Sequence, residues 1–280
     1  MEPRSDIIKE LVTMVLASAK YRRLSPDLVR TIGAKELAKG RSLKDAVKAT
    51  KNKLHQVAGM YLPGATHYGA WLAQLTSAFQ SGDEEQIRSV CRQIMAAHTS
   101  TRERLPILDQ LYGATLAGLG PIARVLDLAC GLNPLSLCWI PLADHATYFA
   151  YDIYTDMMDF LNGFFAEFSA FARAQGNRRF SGAGAVLDII QATPDQHADV
   201  AFILKALPCL EQIDKSAGRR LLESVHADHI LVSFPARSVG GKAKGMVENY
   251  EAGFYALVED AGWSITRFEF ATELVFRISK

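Results

Sequence analysis

Cysteine is scarce: Cys91, Cys130, Cys138 and Cys209 are the four in 280 residues, and no two of them form a CxxC pair. That argues against a disulfide framework and fits a reduced, cytoplasmic chain. No apolar run approaches the roughly 20 residues that cross a bilayer, which excludes a transmembrane helix and a membrane partner. The N-terminal Met1-Glu2-Pro3-Arg4-Ser5-Asp6 carries acids and leads into an amphipathic pattern, so no secretory leader is expected. No His/Cys/Asp group has metal-ligand spacing, so no metal is expected. Internal repeats and low-complexity segments are absent too. What remains is an apolar share of 49%, too high for a disordered chain and enough for one or two domains with a substantial core.

Net charge is nearly absent, with 31 Lys and Arg against 30 Asp and Glu, but the balance is uneven along the chain. Residues 1–60 hold 13 Lys and Arg against 6 Asp and Glu, a local net of +7. The other 220 residues hold 18 against 24, a net of −6. Lys44, Lys48 and Lys51 are spaced by four and three, which puts them on one helical face. A surface of this kind suits a polyanion, most often nucleic acid, and a merely solvated helix face explains it equally well. The candidate RNA contacts here are Lys20, Arg22, Arg23, Lys44, Lys48 and Lys51. The glycine-rich loop over 235–246 adds Arg237, Lys242 and Lys244, which suit phosphates.

The first hundred residues read as helices. Ile7, Ile8, Leu11, Met14, Val15 and Ala19 recur at helical spacing, and Ser25-Pro26-Asp27 supplies a cap and a proline for a second helix. Further helices are predicted over 42–60, 68–80, 83–97 and 101–119. From Pro121 the texture changes to short β-rich runs, over 123–128, 147–151, 185–187, 199–204 and 229–234, with helices over 156–175 and 216–225 between them. Alternation of this kind predicts parallel βαβ units and a doubly wound α/β sheet. The tail, 264–270 and 273–278, predicts an antiparallel hairpin at one edge. The division is a basic helical domain over 1–109 and an α/β domain over 110–280.

In such sheets ligands sit at the carboxyl ends of the strands. The first strand delivers Asp127-Leu128-Ala129-Cys130-Gly131, one glycine where a dinucleotide fingerprint has three, which disfavours NAD. Asp152 ends the second strand about 20 residues later, as expected of an acid that takes ribose hydroxyls. Asp188 ends the third and suits an exocyclic amine. Acids after three successive strands, with one glycine turn, look like those of a class I S-adenosylmethionine (SAM) methyltransferase. Lys205, at the end of the fourth strand, suits orientation of a target base or an ion pair with Asp188 or a neighbouring acid.

Longer strings narrow this further. Lys20-Tyr21-Arg22, Lys53-Leu54-His55, Gly59-Met60-Tyr61, His98-Thr99-Ser100-Thr101-Arg102-Glu103-Arg104-Leu105 and Asp127-Leu128-Ala129-Cys130-Gly131-Leu132-Asn133-Pro134-Leu135 are the first of them. Leu204-Lys205-Ala206-Leu207-Pro208-Cys209-Leu210-Glu211, Ser233-Phe234-Pro235, Asn249-Tyr250 and Thr272-Glu273-Leu274 follow. With these the whole chain resembles the aminoglycoside-resistance 16S rRNA (guanine(1405)-N7)-methyltransferases. The resemblance implies a Rossmann-like seven-stranded sheet with a C-terminal antiparallel hairpin, and a helical N-terminal domain that binds rRNA and partly closes over the SAM pocket. It implies a pocket of Tyr61, His98, Thr99, Ser100, Arg104, Ala129, Gly131, Asp152, Asp188, Ile189 and Leu204. Arg104 would pair with the methionine carboxylate, Asp152 with the ribose and Asp188 with the adenine amine. Ile213 stands where relatives carry a polar residue on the adenosine side.

The resemblance also implies SAM as cofactor, S-adenosyl-L-homocysteine as product, and 16S rRNA in the assembled 30S subunit as partner of a monomeric, cytoplasmic enzyme. Because guanine N7 carries a free lone pair, no general base is expected, and Lys205 would orient the target. Arg104→Ala and Asp152→Ala are expected to weaken SAM binding without unfolding the chain. Two other readings compete. Pro208-Cys209 is similar to the proline-cysteine of cytosine-C5 RNA methyltransferases, with Cys209 as nucleophile, and the chain could also be a non-catalytic SAM- or RNA-binding module.

Overall fold

The computed structural model describes residues 5–59, 61–62, 64–176, 179–236 and 245–280. Three helices open the chain: α1 (Ser5–Leu16), α2 (Pro26–Ala38) and α3 (Leu43–Leu54), the last continued by a π-turn over His55–Gly59. Ser25 caps α2, its hydroxyl accepting from the Asp27 amide, and Pro26 takes the first turn, where its missing N–H costs nothing. Leu11, Val15, Leu28, Val29, Ile32, Val47 and Leu54 meet in a core of their own among these helices.

Four more helices follow: α4 (Tyr68–Ser81), α5 (Glu84–Met95), α6 (Thr99–Arg104) and α7 (Leu108–Thr115). The single helix expected over 101–119 is broken. Pro106 has no N–H to give, and a 3-10 turn over Leu105–Ile107 separates α6 from α7. Asp83 caps α5 by accepting from the Glu85 and Gln86 amides.

Beyond Pro121 the chain alternates β1 (Ile122–Leu128), β2 (Leu142–Asp152), α8 (Thr155–Ala174), β3 (Ser181–Val186), β4 (Ala198–Leu204), α9 (Leu207–Ile213), α10 (Ala217–Ser224), β5 (Ala227–Pro235), α11 (Met246–Val258), β6 (Ser264–Glu269) and β7 (Glu273–Ser279). The strands form a seven-stranded sheet in the order β3-β2-β1-β4-β5-β7-β6. β1 to β5 are parallel, and β7 enters antiparallel between β5 and the edge strand β6. This is the fold of class I methyltransferases, with a helical N-terminal region. α9 and α11 were not read from the sequence.

One sheet face is covered by α4, α5, α7 and α8, with Tyr148, Phe164, Phe165 and Phe202 in its core. The other packs α9, α10 and α11 through Leu207, Leu222 and Phe254. Burial of this extent, at about 25 cal/mol per Å² of apolar surface, is the main stabilising contribution. The order reverses at β1, which lies between β2 and β4, so the strand ends most open to a ligand are those of β1, β2 and β4. The N-terminal helices dock there. The Ser25 amide donates to the Ile153 carbonyl (2.7 Å), and the Thr155 amide to that of Arg23 (2.9 Å). No described helix is long and apolar enough to cross a membrane.

Candidate cofactor and target site

A cavity lies over the carboxyl ends of these strands, with N-terminal residues as its far wall. Leu28, Val57, Ala58 and Tyr61 come from that wall, His98 and Ser100 from the start of α6. Ala129, Asp152, Leu187, Asp188, Ile189, Leu204 and Lys205 come from the strand ends, and Cys209, Leu210 and Ile213 from α9.

The turn after β1 is fixed by backbone geometry. Ala129 and Gly131 take φ values of 54° and 51°, in the left-handed region. For alanine that conformation is strained, typically by about 1–3 kcal/mol. Asp152 ties the turn down: its Oδ2 accepts from the Gly131 amide (2.9 Å) and its Oδ1 from the Ile153 amide (2.6 Å). Opposite Gly131 sits the His98 ring, 2.8 Å from where a side-chain Cβ would stand. His98 stacks on Tyr61, with ring centroids 5.8 Å apart, and its Nδ1 lies 3.0 Å from the Ser100 hydroxyl. Burial, helped by the Arg104 and Lys205 charges, pulls the His98 pKa down to about 3. It is therefore neutral at physiological pH.

Asp188, also in the cavity lining, accepts from the Ile190 amide (3.1 Å) and the Thr31 hydroxyl (3.3 Å). Burial raises the pKa of both Asp152 and Asp188, and their backbone hydrogen bonds oppose the rise. Two acceptor carboxylates and the apolar Ile189, Leu204 and Ile213 in one lining fit an adenosine: acids for ribose hydroxyls and an amine, aliphatic groups for a base.

Arg104 lies beside this cavity and does not line it. Its side chain is 1% exposed and its partner Glu273 is 0% exposed. Its Nη2 donates to Glu273 Oε2 (3.2 Å) and its Nη1 to Asn133 Oδ1 (2.8 Å). Nε sits 2.9 Å from Glu273 Oε1, out of line for a hydrogen bond. The same Oε1 is 3.3 Å from Lys205 Nζ, whose nearer partner is Glu103 Oε2 at 2.8 Å. Two cations and two carboxylates thus form one chain, Arg104–Glu273–Lys205–Glu103. Behind Asn133, Asp127 accepts from Tyr148 (2.6 Å) and Asn133 (2.9 Å), and burial pushes its carboxyl up to about 6.

Of the eleven cofactor residues read from the sequence, eight line the cavity: Tyr61, His98, Ser100, Ala129, Asp152, Asp188, Ile189 and Leu204. Gly131 shapes its floor through Asp152, and Thr99 donates its amide to the Tyr61 carbonyl (2.8 Å). Ile213 faces the cavity as an aliphatic wall. Lys205 does not pair with Asp188; its acids are Glu103 and Glu273. Leu28, Val57 and Ala58 were missed, because apolar residues at helical spacing carry no sign of which cavity they border. Cys209 does not suit a nucleophile. Burial raises its thiol pKa, and its Sγ lies 2.8 Å from the Tyr61 hydroxyl.

The basic residues are mostly on the surface. Lys20, Arg22, Arg23, Lys44 and Lys48 are exposed, while Lys51 is half-buried and its carbonyl accepts from Tyr21. Lys20 Nζ also meets His55 Nδ1 at 3.1 Å. Arg237, Lys242 and Lys244 lie outside the described residues.

Known proteins match the chain along nearly its whole length. A family model described as ribosomal RNA methyltransferase (FmrO) matches residues 17–277. The chain is 36% identical over 277 residues to the 16S rRNA (guanine(1405)-N(7))-methyltransferase of Micromonospora rosea, covering 98% of this chain and 97% of that one. It is 35% identical to the enzyme of the same name from Micromonospora echinospora, covering 100% and 98%. Among solved structures it is similar to the 16S rRNA methyltransferase RmtF in complex with S-adenosyl-L-homocysteine, with a TM-score of 0.77, 29% identity and coverage of 99% and 100%.

Proposed function

The chain belongs to the 16S rRNA (guanine(1405)-N7)-methyltransferase family, and from that premise we propose how its residues carry out the reaction. It transfers a methyl group from SAM to N7 of guanine 1405 of 16S rRNA. The observation that supports our assignment of the site is the cavity at the ends of β1 to β4, with Asp152, Asp188 and Lys205 in its lining.

Asp152 holds the ribose hydroxyls and Asp188 the adenine amine, while Arg104, buried beside the cavity, braces its wall through Glu273 and Asn133. Ile189, Leu204 and Ile213 sandwich the base. Bound SAM supplies an electrophilic methyl on a sulfonium. Guanine N7 attacks with an in-plane lone pair, so no proton has to leave first. The protein's task is alignment and exclusion of water, which can lower a barrier by ~7–11 kcal/mol. His98, neutral and stacked, packs the pocket and moves no proton.

Residues 1–109 form the rRNA-facing unit, with Tyr61 and the segment from His98 to Arg104 closing over the cofactor, and 110–280 form the methyltransferase unit. The enzyme acts as a cytoplasmic monomer on assembled 30S subunits, where the exposed lysines meet a folded RNA surface. Methylation places a bulky cationic group on the guanine edge that offers N7 and O6 as acceptors. Drugs that donate there, the 4,6-disubstituted deoxystreptamines, lose an acceptor and meet a like charge, so expression confers resistance to them.

Asp152→Ala removes a charge-assisted acceptor, worth roughly 1.5–3 kcal/mol, and calorimetry should show SAM affinity down by about 10- to 100-fold. Wild-type affinity in this variant refutes the cofactor assignment. For the RNA surface, binding to 30S subunits should weaken steeply with salt, with a log–log slope near −0.9 per duplex phosphate neutralised. Reversing Lys44 and Lys48 to glutamate should flatten that slope by about 1–2 and leave SAM affinity alone. An unchanged slope makes the basic surface a solvated one.

A further inference from the structure

We propose that the Lys205–Glu103 ion pair reads the target base as guanine, Lys205 donating to O6 and Glu103 accepting from N1–H. The proposal rests on the methyltransferase reading above and assigns Glu103 as a specificity-determining residue.

Three observations lead to it. First, Lys205 stands on the wall of the cofactor cavity with Glu103 as its nearest acid. Lys205 follows β4 at the cavity wall, its backbone held at φ 60°, a conformation a lysine adopts only under constraint. Second, Glu103 is more than a counter-charge. Glu273 already lies 3.3 Å from Lys205 and is 0% exposed. Glu103 is a second acid on the same ammonium, and its side chain keeps 31% exposure where Lys205 keeps 4%. Its Oε2 takes the lysine, and no described residue donates to its Oε1. Third, Lys205 shares its cavity with groups that can hold a base. Tyr61 and Cys209 line it too, the Tyr61 hydroxyl 2.8 Å from Cys209 Sγ.

The chemistry of the pair matches one base. Guanine presents an acceptor, O6, directly beside a donor, N1–H. An ammonium 2.8 Å from a carboxylate presents the complement, donor beside acceptor. Adenine reverses both positions, with an amine donor beside the N1 acceptor, and would meet like against like. A base taken out of its helix is read on this edge. The carboxylate also serves the reaction. Transfer breaks the S–CH3 bond, forms N7–CH3 with the N7 lone pair, and moves the positive charge onto the purine. A carboxylate on N1–H binds that developing cation more tightly than the neutral base, which lowers the barrier and not merely the KM.

Glu103→Gln tests this, because the amide keeps the shape, loses the charge, and leaves Lys205 paired with Glu273. The substrates are 30S subunits carrying either guanine or adenine at the target nucleotide, with wild-type transfer to guanine measured alongside. Turnover on guanine should fall about 10- to 100-fold, with SAM affinity and the KM for 30S subunits each within about twofold of wild type and the melting midpoint unchanged. Transfer to adenine should not fall, since glutamine can donate to adenine N1, so the guanine preference shrinks. Unchanged turnover on guanine overturns the proposal. So does a fall that SAM affinity follows, or one shared equally by guanine and adenine. Absence of transfer by the wild-type protein would instead defeat the methyltransferase reading, so the two failures are distinct.

Discussion

Arg104→Ala is expected to lower the stability of the fold by about 3–5 kcal/mol, more than the loss of one cofactor contact would suggest. The guanidinium is 1% exposed and faces a carboxylate that is 0% exposed. Removing it leaves Glu273 charged in a buried site, with Lys205 at 3.3 Å as its remaining cation. That partner places the loss toward the lower end of the range. The sequence alone suggested a folded variant with weaker SAM binding; burial changes the expectation. Urea unfolding of Arg104→Ala beside Arg104→Lys measures it. Wild-type stability in the alanine variant would contradict the buried pairing.

The second large effect is expected at Gly131. An alanine there must adopt φ near 51° and place its Cβ 2.8 Å from His98 Cε1 and 2.9 Å from Nε2. The ring is buried and stacked on Tyr61, so it cannot yield cheaply. A left-handed alanine adds about 1–2 kcal/mol. The turn would shift and pull its amide from Asp152, the residue assigned to the ribose. SAM affinity should fall by about 10- to 100-fold or more, and calorimetry reads it directly. Wild-type affinity would show that the turn is not part of the cofactor site.

The strand ends were the most legible part of this chain. Short apolar runs that stop at Gly131, Asp152, Asp188 and Lys205 announce a parallel sheet and its ligand side together, because strand polarity fixes both. The C-terminal hairpin was legible because two β-rich runs stand a short turn apart. Helix boundaries were less so. Pro106 stops α6 where apolar periodicity runs on, and α9, at seven residues, is too short to show a period. What sequence could not show is pairing at a distance. Arg104 meets Glu273 across 169 positions, and Lys205 meets Glu103 across 102. Each residue was visible, and the resemblance marked the strings that hold them, but their mutual neutralisation is a property of the packed sheet. The same holds for the far wall, where Leu28 and Val57 read as core residues of a helical bundle and also close a cavity.

The most direct test of the account is to incubate the full-length protein with 30S subunits and methyl-labelled SAM, and to map the modified nucleotide by cleavage at N7-methylguanine. The account predicts one methyl group per subunit, on N7 of guanine 1405, and a much slower transfer when Asp152 is replaced by alanine at limiting SAM. A label at another nucleotide, or no label from folded protein that binds SAM, would contradict it.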